Sequence, residues 1–153
     1  MKADDLMVKA RQAVASAKVL LHAGDVDGAC NRAYYSMFDA ARAALLFSRA
    51  PVELDDIKTH SGLIATFGLH LVKTGQVPVE LGKALNKVED LRLIADYKGE
   101  QVLPEKAAWA VQQAEIFIQA MQSIFSPGSI VCDKCNAIPC VCDDNPVTQS
   151  PRI

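Results

Sequence analysis

Apolar residues recur every three or four positions along most of the first 126 residues, and this spacing limits the possible folds more than any other feature. No segment alternates apolar and polar residues with the period of two that a half-buried strand shows. The pattern therefore predicts an all-α, up-and-down bundle of about five helices joined by short loops. The stripe of the last helix comprises Ala110, Ala114, Phe117, Met121 and Ile124.

Residues that start or end helices divide this pattern into segments. Gly24 is placed to end the first helix, and Asp25 is placed to cap the second, which is predicted to run over about 26–48. Pro78 and Pro104 are placed to open the fourth and fifth helices, because the first turn of a helix tolerates proline. The helical part is predicted to be one domain.

The last 27 residues have a different composition and predict an irregular tail. They contain four of the seven prolines and show no helical period, so the chain divides into a bundle over 1–126 and a tail over 127–153. Four tail cysteines have the spacing C-x2-C-x4-C-x-C, which can hold a structural zinc ion. Free thiols in a flexible tail and disulfides are the alternatives. The four are Cys132, Cys135, Cys140 and Cys142.

The overall charge and the absence of long apolar runs indicate the cellular location of the chain and what it can bind. Sixteen basic and eighteen acidic residues give a net charge of −2, so any RNA binding has to use a local basic patch. No apolar run approaches the roughly 20 residues that span a bilayer. The N-terminal residues are charged and lack the apolar core of a signal peptide. We therefore expect a cytoplasmic protein that does not enter a membrane.

Polar and aromatic motifs recur in order at four places in the helical part. The second helix carries NRAYYSMF at 31–38, and the third opens with KTHSG at 58–62. FG at 67–68 and VKTG at 72–75 close the third helix, and Arg92 precedes ADY at 95–97. Together these motifs resemble the signature of HEPN domains (higher eukaryotes and prokaryotes nucleotide-binding), especially the small prokaryotic members associated with nucleotidyltransferases. The resemblance covers roughly residues 3–126.

The resemblance implies a function that periodicity alone does not predict. HEPN domains are helical bundles that commonly form homodimers, and many are metal-independent ribonucleases of toxin–antitoxin or phage-defence modules. Many are encoded beside a small nucleotidyltransferase that restrains them. Active members carry an arginine followed on the same helix by a histidine, and the dimer brings two such pairs into one cleft. This chain has Arg92, but positions 93–98 contain no histidine.

The chemistry of RNA cleavage assigns roles to the remaining residues. Cleavage without a metal cofactor needs a base, a cation for the phosphorane charge and an acid. Arg92 suits the second role because a guanidinium can hold two phosphate oxygens. Asp96 is a weak candidate base and is better suited to orienting Arg92, whereas Tyr97 could stack on a base or donate to phosphate. The resemblance further implies that a partner could attach a nucleotide to Tyr97. His60, at the start of the third helix, is the best candidate for the base.

Other interpretations of the same residues remain open. Arg92 and Asp96 could form an ordinary surface ion pair one helical turn apart. The polar residues of the second helix could fix helix register or a dimer interface, or they could contact nucleotide or RNA. The whole domain could be a ribonuclease, a non-catalytic nucleotide- or RNA-binding partner of a nucleotidyltransferase, or a helical dimerisation scaffold. The candidate nucleotide- or RNA-binding residues are Asn31, Arg32, Tyr34, Tyr35 and Lys58.

Overall fold

The computed structural model describes residues 2–97 and 99–125, and in that part of the chain it contains five α-helices and no strand. The all-α prediction is therefore confirmed, whereas the predicted tail lies outside the described residues. None of the described helices combines the length and the apolar character that crossing a bilayer requires. The helices are α1 (Ala3–His22), α2 (Val26–Phe47), α3 (His60–Phe67), α4 (Val79–Tyr97) and α5 (Pro104–Phe125).

The helix ends follow the predicted start and stop signals closely. The Asp25 side chain accepts a hydrogen bond from the Gly28 backbone N–H and so caps the start of α2. Gly24 has a φ of +86°, a left-handed conformation that lets the chain turn sharply between α1 and α2. Pro104 is the first residue of α5, and α4 begins directly after Pro78. Capping chemistry thus explains why the segments break where they do.

Two short elements were not predicted. Leu54–Asp56 forms one turn of 3₁₀-helix in the loop before α3, and Gly68–Val72 continues α3 as a π-helical turn. The π-helical turn packs close to α4, because a Cβ atom added at Gly82 would lie 3.2 Å from a Val72 methyl group. The glycine therefore allows the two backbones to approach.

Helices α1 and α2 form the most extensive helix pair in the bundle, and both contain buried alanines. Ala10 and Ala17 of α1 and Ala33, Ala40 and Ala44 of α2 are completely buried. Such small side chains let the helices approach closely, and α2 also packs against α4 and α5. Because of this central position, side chains of α2 can reach α1, α4 and α5.

A larger side chain in this contact is expected to destabilise the protein. Ala40→Leu forces additional methyl groups between α1 and α2, which should lower the free energy of unfolding by about 1–3 kcal/mol. Urea unfolding followed by circular dichroism measures the change, with Ala108→Leu on the exposed face of α5 as the control. Equal unfolding midpoints for the two variants would show that the α1–α2 contact is not tightly packed.

Candidate functional site

Arg92 lies on the inner face of α4 and is paired with a carboxylate there. Its side chain is 3% exposed, and its Nε and Nη2 groups donate to Oε1 of Glu89 at 2.9 and 2.6 Å. Burial acts to lower the pKa of Arg92, but the hydrogen bonds and charge of Glu89 outweigh it, so the net effect raises that pKa. The guanidinium therefore stays charged. The alternative of a surface ion pair between Arg92 and Asp96 is therefore wrong about the position of Arg92, which is buried, although the two side chains do pair.

Asp96 holds the outer edge of the same guanidinium. Nη1 of Arg92 donates to Oδ2 of Asp96 at 3.5 Å, a long and weak hydrogen bond. The same oxygen accepts from the Asn31 side-chain amide at 3.0 Å, which joins α2 to α4. These contacts fit the expected role of Asp96 in orienting Arg92.

Three tyrosine rings surround the guanidinium of Arg92. The Arg92 Cζ atom lies 5.1, 5.8 and 5.6 Å from the ring centroids of Tyr34, Tyr35 and Tyr97, distances at which a cation is attracted to an aromatic face. Tyr34 is fully buried, whereas Tyr97 is 74% exposed. The rings thus extend from the protein interior to its surface.

His60, the first residue of α3, contacts two of these tyrosines. Its Nδ1 atom lies 3.0 Å from the Tyr34 hydroxyl, and its Nε2 atom lies 3.4 Å from the Tyr35 hydroxyl. Burial, followed by the negative charge of Glu89, raises the pKa of Tyr34 well above its usual value, so this phenol stays neutral. The imidazole and the guanidinium are therefore linked through the same two side chains.

The structure brings most of the predicted site residues into this one network, which we call the Arg92 cluster, and places two of them elsewhere. Arg32 lines a groove between α1 and α2. Lys58 is exposed, and its Nζ group donates to the Asp55 carbonyl at 2.6 Å. The predicted residues that do meet are Asn31, Tyr34, Tyr35, His60, Arg92, Asp96 and Tyr97.

Glu89 and Phe38 belong to the Arg92 cluster but were not predicted as site residues. Glu89 is 8% exposed and follows Leu85 by one helical turn, so it falls on the buried stripe of α4. A carboxylate at that position, three residues before Arg92, is the sequence signal that could have revealed the buried pair. The Phe38 ring centroid lies 4.9 Å from that of His60.

Metal ligands were predicted only in the tail. Cys132, Cys135, Cys140 and Cys142 lie outside the described residues, so the zinc site stays a prediction. Within residues 2–97 and 99–125, no three His, Cys, Asp or Glu side chains converge as a metal site requires.

The charges of the Arg92 cluster determine how it could bind an anion. One guanidinium faces two carboxylates, so a phosphate has to replace a carboxylate rather than add beside it. Asp96 is the carboxylate that can be replaced, because its bond to Arg92 is the longer one and its side chain is partly exposed. A phosphate there would meet one N–H edge of Arg92, with the Tyr97 ring close to the same guanidinium.

Comparisons with known proteins agree with this architecture. The family model described as the HEPN domain matches residues 3–124. The "UPF0332 protein glr0978" of Gloeobacter violaceus is 40% identical over 95 residues, 62% of this chain and 71% of that protein. A "UPF0332 protein" of Thermotoga maritima is 35% identical over 119 residues, 76% and 85% of the two chains. The "Putative toxin MJ0605" of Methanocaldococcus jannaschii is 31% identical over 113 residues, 74% and 81% of the two chains.

Proposed function

This chain belongs to the HEPN domain family, and from that premise we propose that it is a metal-independent endoribonuclease of a toxin–antitoxin or phage-defence module. The relatives named as toxins support the toxin part of the proposal. One structural observation carries the rest: α3 delivers His60 to the Arg92 cluster, through Tyr34 and Tyr35. An imidazole is therefore present beside Arg92 although α4 has none after that residue.

The contacts of His60 fit the role of general base. If the Nδ1–H group donates to the Tyr34 hydroxyl, Nε2 is left as the acceptor. The longer bond to Tyr35 can then give way to a ribose 2′-OH, whose proton Nε2 takes. Tyr34 would hold the imidazole in the correct orientation, as the third member of a catalytic triad does.

The cleavage step then follows as an in-line displacement. The 2′-oxygen forms a bond to phosphorus, the bond from phosphorus to O5′ breaks, and a 2′,3′-cyclic phosphate results. Nη1 of Arg92, released from Asp96, stabilises the charge on the phosphorane oxygens. In a homodimer the His60 residue of the second copy returns a proton to O5′, so the two copies together supply base and acid.

A homodimer and a restraining partner are further parts of this proposal. A native mass near twice 16.5 kDa would support the shared site, and a strict monomer would contradict it.

A small nucleotidyltransferase-type antitoxin could attach a nucleoside monophosphate from a nucleoside triphosphate to the Tyr97 hydroxyl, with release of pyrophosphate. The exposure of Tyr97 leaves that hydroxyl accessible. An unchanged intact mass after incubation with the partner and the triphosphate would contradict this step.

RNA cleavage in excess EDTA tests the proposed activity. His60→Ala is expected to lower the cleavage rate by about 10²–10⁴-fold, because it removes the base while the bundle core stays intact. His70→Ala, in the π-helical turn after α3, is the matched control and should cleave like the wild type. A blank preparation, purified in the same way from cells without the protein, shows whether a contaminating nuclease is present. If the blank does not cleave, equal cleavage by wild type and His60→Ala would rule out His60 as the base.

One observation favours a second function, nucleotide or RNA binding without catalysis. Both Glu89 and Asp96 already hold Arg92, which lowers its availability to a transferring phosphate. A folded wild type that binds RNA but does not cleave it would support this role. If the folded protein neither binds nor cleaves RNA, the dimerisation scaffold is the remaining function.

A further inference from the structure

A buried carboxylate on α2 lies among three basic side chains outside the Arg92 cluster. Asp39 is 7% exposed, and its Oδ1 atom lies 3.4 Å from Nη1 of Arg42. The positive charges of Lys9 on α1 and Arg32 on α2 also act on it. Three positive groups therefore act on this one carboxylate, although the chain as a whole carries −2.

Two of these basic residues line an open groove between α1 and α2. The groove has a volume of about 600 Å³, and Lys9 and Arg32 share its lining with two uncharged polar residues and four apolar ones. These are Gln12, Ser16, Ala13, Ala15, Val19 and Leu20. Its size falls in the usual range of ligand sites, and each of its polar side chains can donate hydrogen bonds, although Gln12 and Ser16 can also accept them. A groove with two cations and uncharged donors suits an anionic chain better than an apolar ligand.

Arg42, the ion-pair partner of Asp39, approaches His60 through an aromatic side chain. Its Cζ atom lies 5.5 Å from the centroid of the Phe38 ring, which in turn packs against His60. Asn31, Tyr35, Phe38 and Arg42 are spaced by four, three and four residues, so they share one face of α2. All four are half-buried. The face therefore offers two aromatic rings with an arginine at its end.

We propose that the α1–α2 groove binds the phosphodiester backbone of a single-stranded RNA that extends from the Arg92 cluster past Phe38. Arg42, Arg32 and Lys9 contact its phosphates, and the rings of Tyr35 and Phe38 stack with its bases. Alternating rings and cations are the usual means of holding single strands without sequence preference. The assignment deepens the proposed ribonuclease function and rests on it for the identity of the strand.

In this proposal Asp39 is the counterion of Arg42, and its negative charge offsets part of the positive charge of Lys9 and Arg32. Burial raises the pKa of Asp39, although the charges of Lys9, Arg42 and Arg32 act to lower it. Above that pKa the ionised group destabilises the fold, and the loss disappears as the pH falls through it. Asp39→Asn should therefore unfold at a higher urea concentration at neutral pH, with a smaller difference in acid. The same variant should bind RNA more tightly, because the groove gains net positive charge.

A binding experiment separates the groove from the chemistry. His60→Ala protein keeps the RNA intact, and the probe is a labelled oligouridylate of about 12 nucleotides, within the site size of single-strand binders. Adding Lys9→Ala and Arg32→Ala should weaken binding of this probe at least about tenfold. The slope of log affinity against log salt should fall by about 1.4, or 0.7 for each lost phosphate contact. Arg11→Ala, on an exposed position of α1, should leave both quantities unchanged.

The length of the RNA gives the second comparison. Binding of a uridine trinucleotide should be unaffected by Lys9→Ala and Arg32→Ala, since a short strand occupies only the Arg92 cluster. An unchanged salt slope, an equal loss for both lengths, or no binding of the long probe would overturn the proposal. So would a poly-glutamate peptide whose binding depends on Lys9 and Arg32 more strongly than that of RNA, because an acidic protein would then be the occupant. Groove-dependent binding together with a wild-type protein that does not cleave RNA would support the groove and reject the ribonuclease.

Discussion

Glu89→Ala is expected to lower the free energy of unfolding by about 3–5 kcal/mol, the range measured when one partner of a buried ion pair is removed. The guanidinium of Arg92 would remain in the interior with only the weaker bond to Asp96, because two of its N–H groups donate to Glu89. Urea unfolding at neutral pH gives the change directly. Asp90→Ala, the exposed neighbour on α4, is the matched control and should cost far less.

A double substitution shows whether the ion pair or the side-chain volume causes the loss. Glu89→Met with Arg92→Met removes both charges, keeps most of the volume and leaves no unpaired polar group, so its stability should lie within about 1 kcal/mol of the wild type. If the losses in free energy of unfolding of the two single variants simply add, the double variant will be less stable than either one. That result would show that Glu89 and Arg92 do not act as a pair.

The same double variant is expected to lose RNA cleavage by about 10³–10⁵-fold, the contribution of an arginine that stabilises charge in phosphoryl transfer. Arg92→Ala alone gives an ambiguous result, because it leaves Glu89 buried without its cation and could abolish activity by unfolding the chain. Removing both charges keeps the fold and isolates the chemistry.

The double variant and the wild type are compared by their rates of RNA cleavage in excess EDTA. Their urea unfolding is measured first, so that both proteins are known to be folded. Glu89→Gln alone retains the arginine and should keep more activity than the double variant. A folded double variant that cleaves within about tenfold of the wild type would exclude Arg92 from the reaction, because a phosphorane-stabilising group contributes more than that.

Local sequence features predict the helices well because their causes are local. The Asp25 cap and the proline at the start of α5 act within one turn, so the sequence contains all that decides them. The π-helical turn Gly68–Val72 has no such local signal in the sequence, and its last residue lies close to Gly82 of α4. Its hydrogen-bond register is therefore not visible in the residues themselves.

The sequence predicted most of the residues of the candidate site but not how deeply they are buried. Motif residues named most of the Arg92 cluster, yet a charged side chain in a helix is normally assigned to the surface, so the burial of Arg92 and Glu89 was missed. Arg32 was placed with its motif neighbours, although each helical residue turns about 100°. Its position therefore falls toward α1, away from Tyr34 and His60.

The origin of His60 on a different helix from Arg92 has a consequence for how relatives are sorted from genome data. A screen that demands an arginine and a histidine a fixed number of letters apart would discard this chain. Its imidazole nevertheless contacts both tyrosines that flank the guanidinium, from a position more than twenty residues along the sequence from each of them. A filter based on spatial neighbours, with a pattern at the start of the third helix, would retain such chains for biochemical testing.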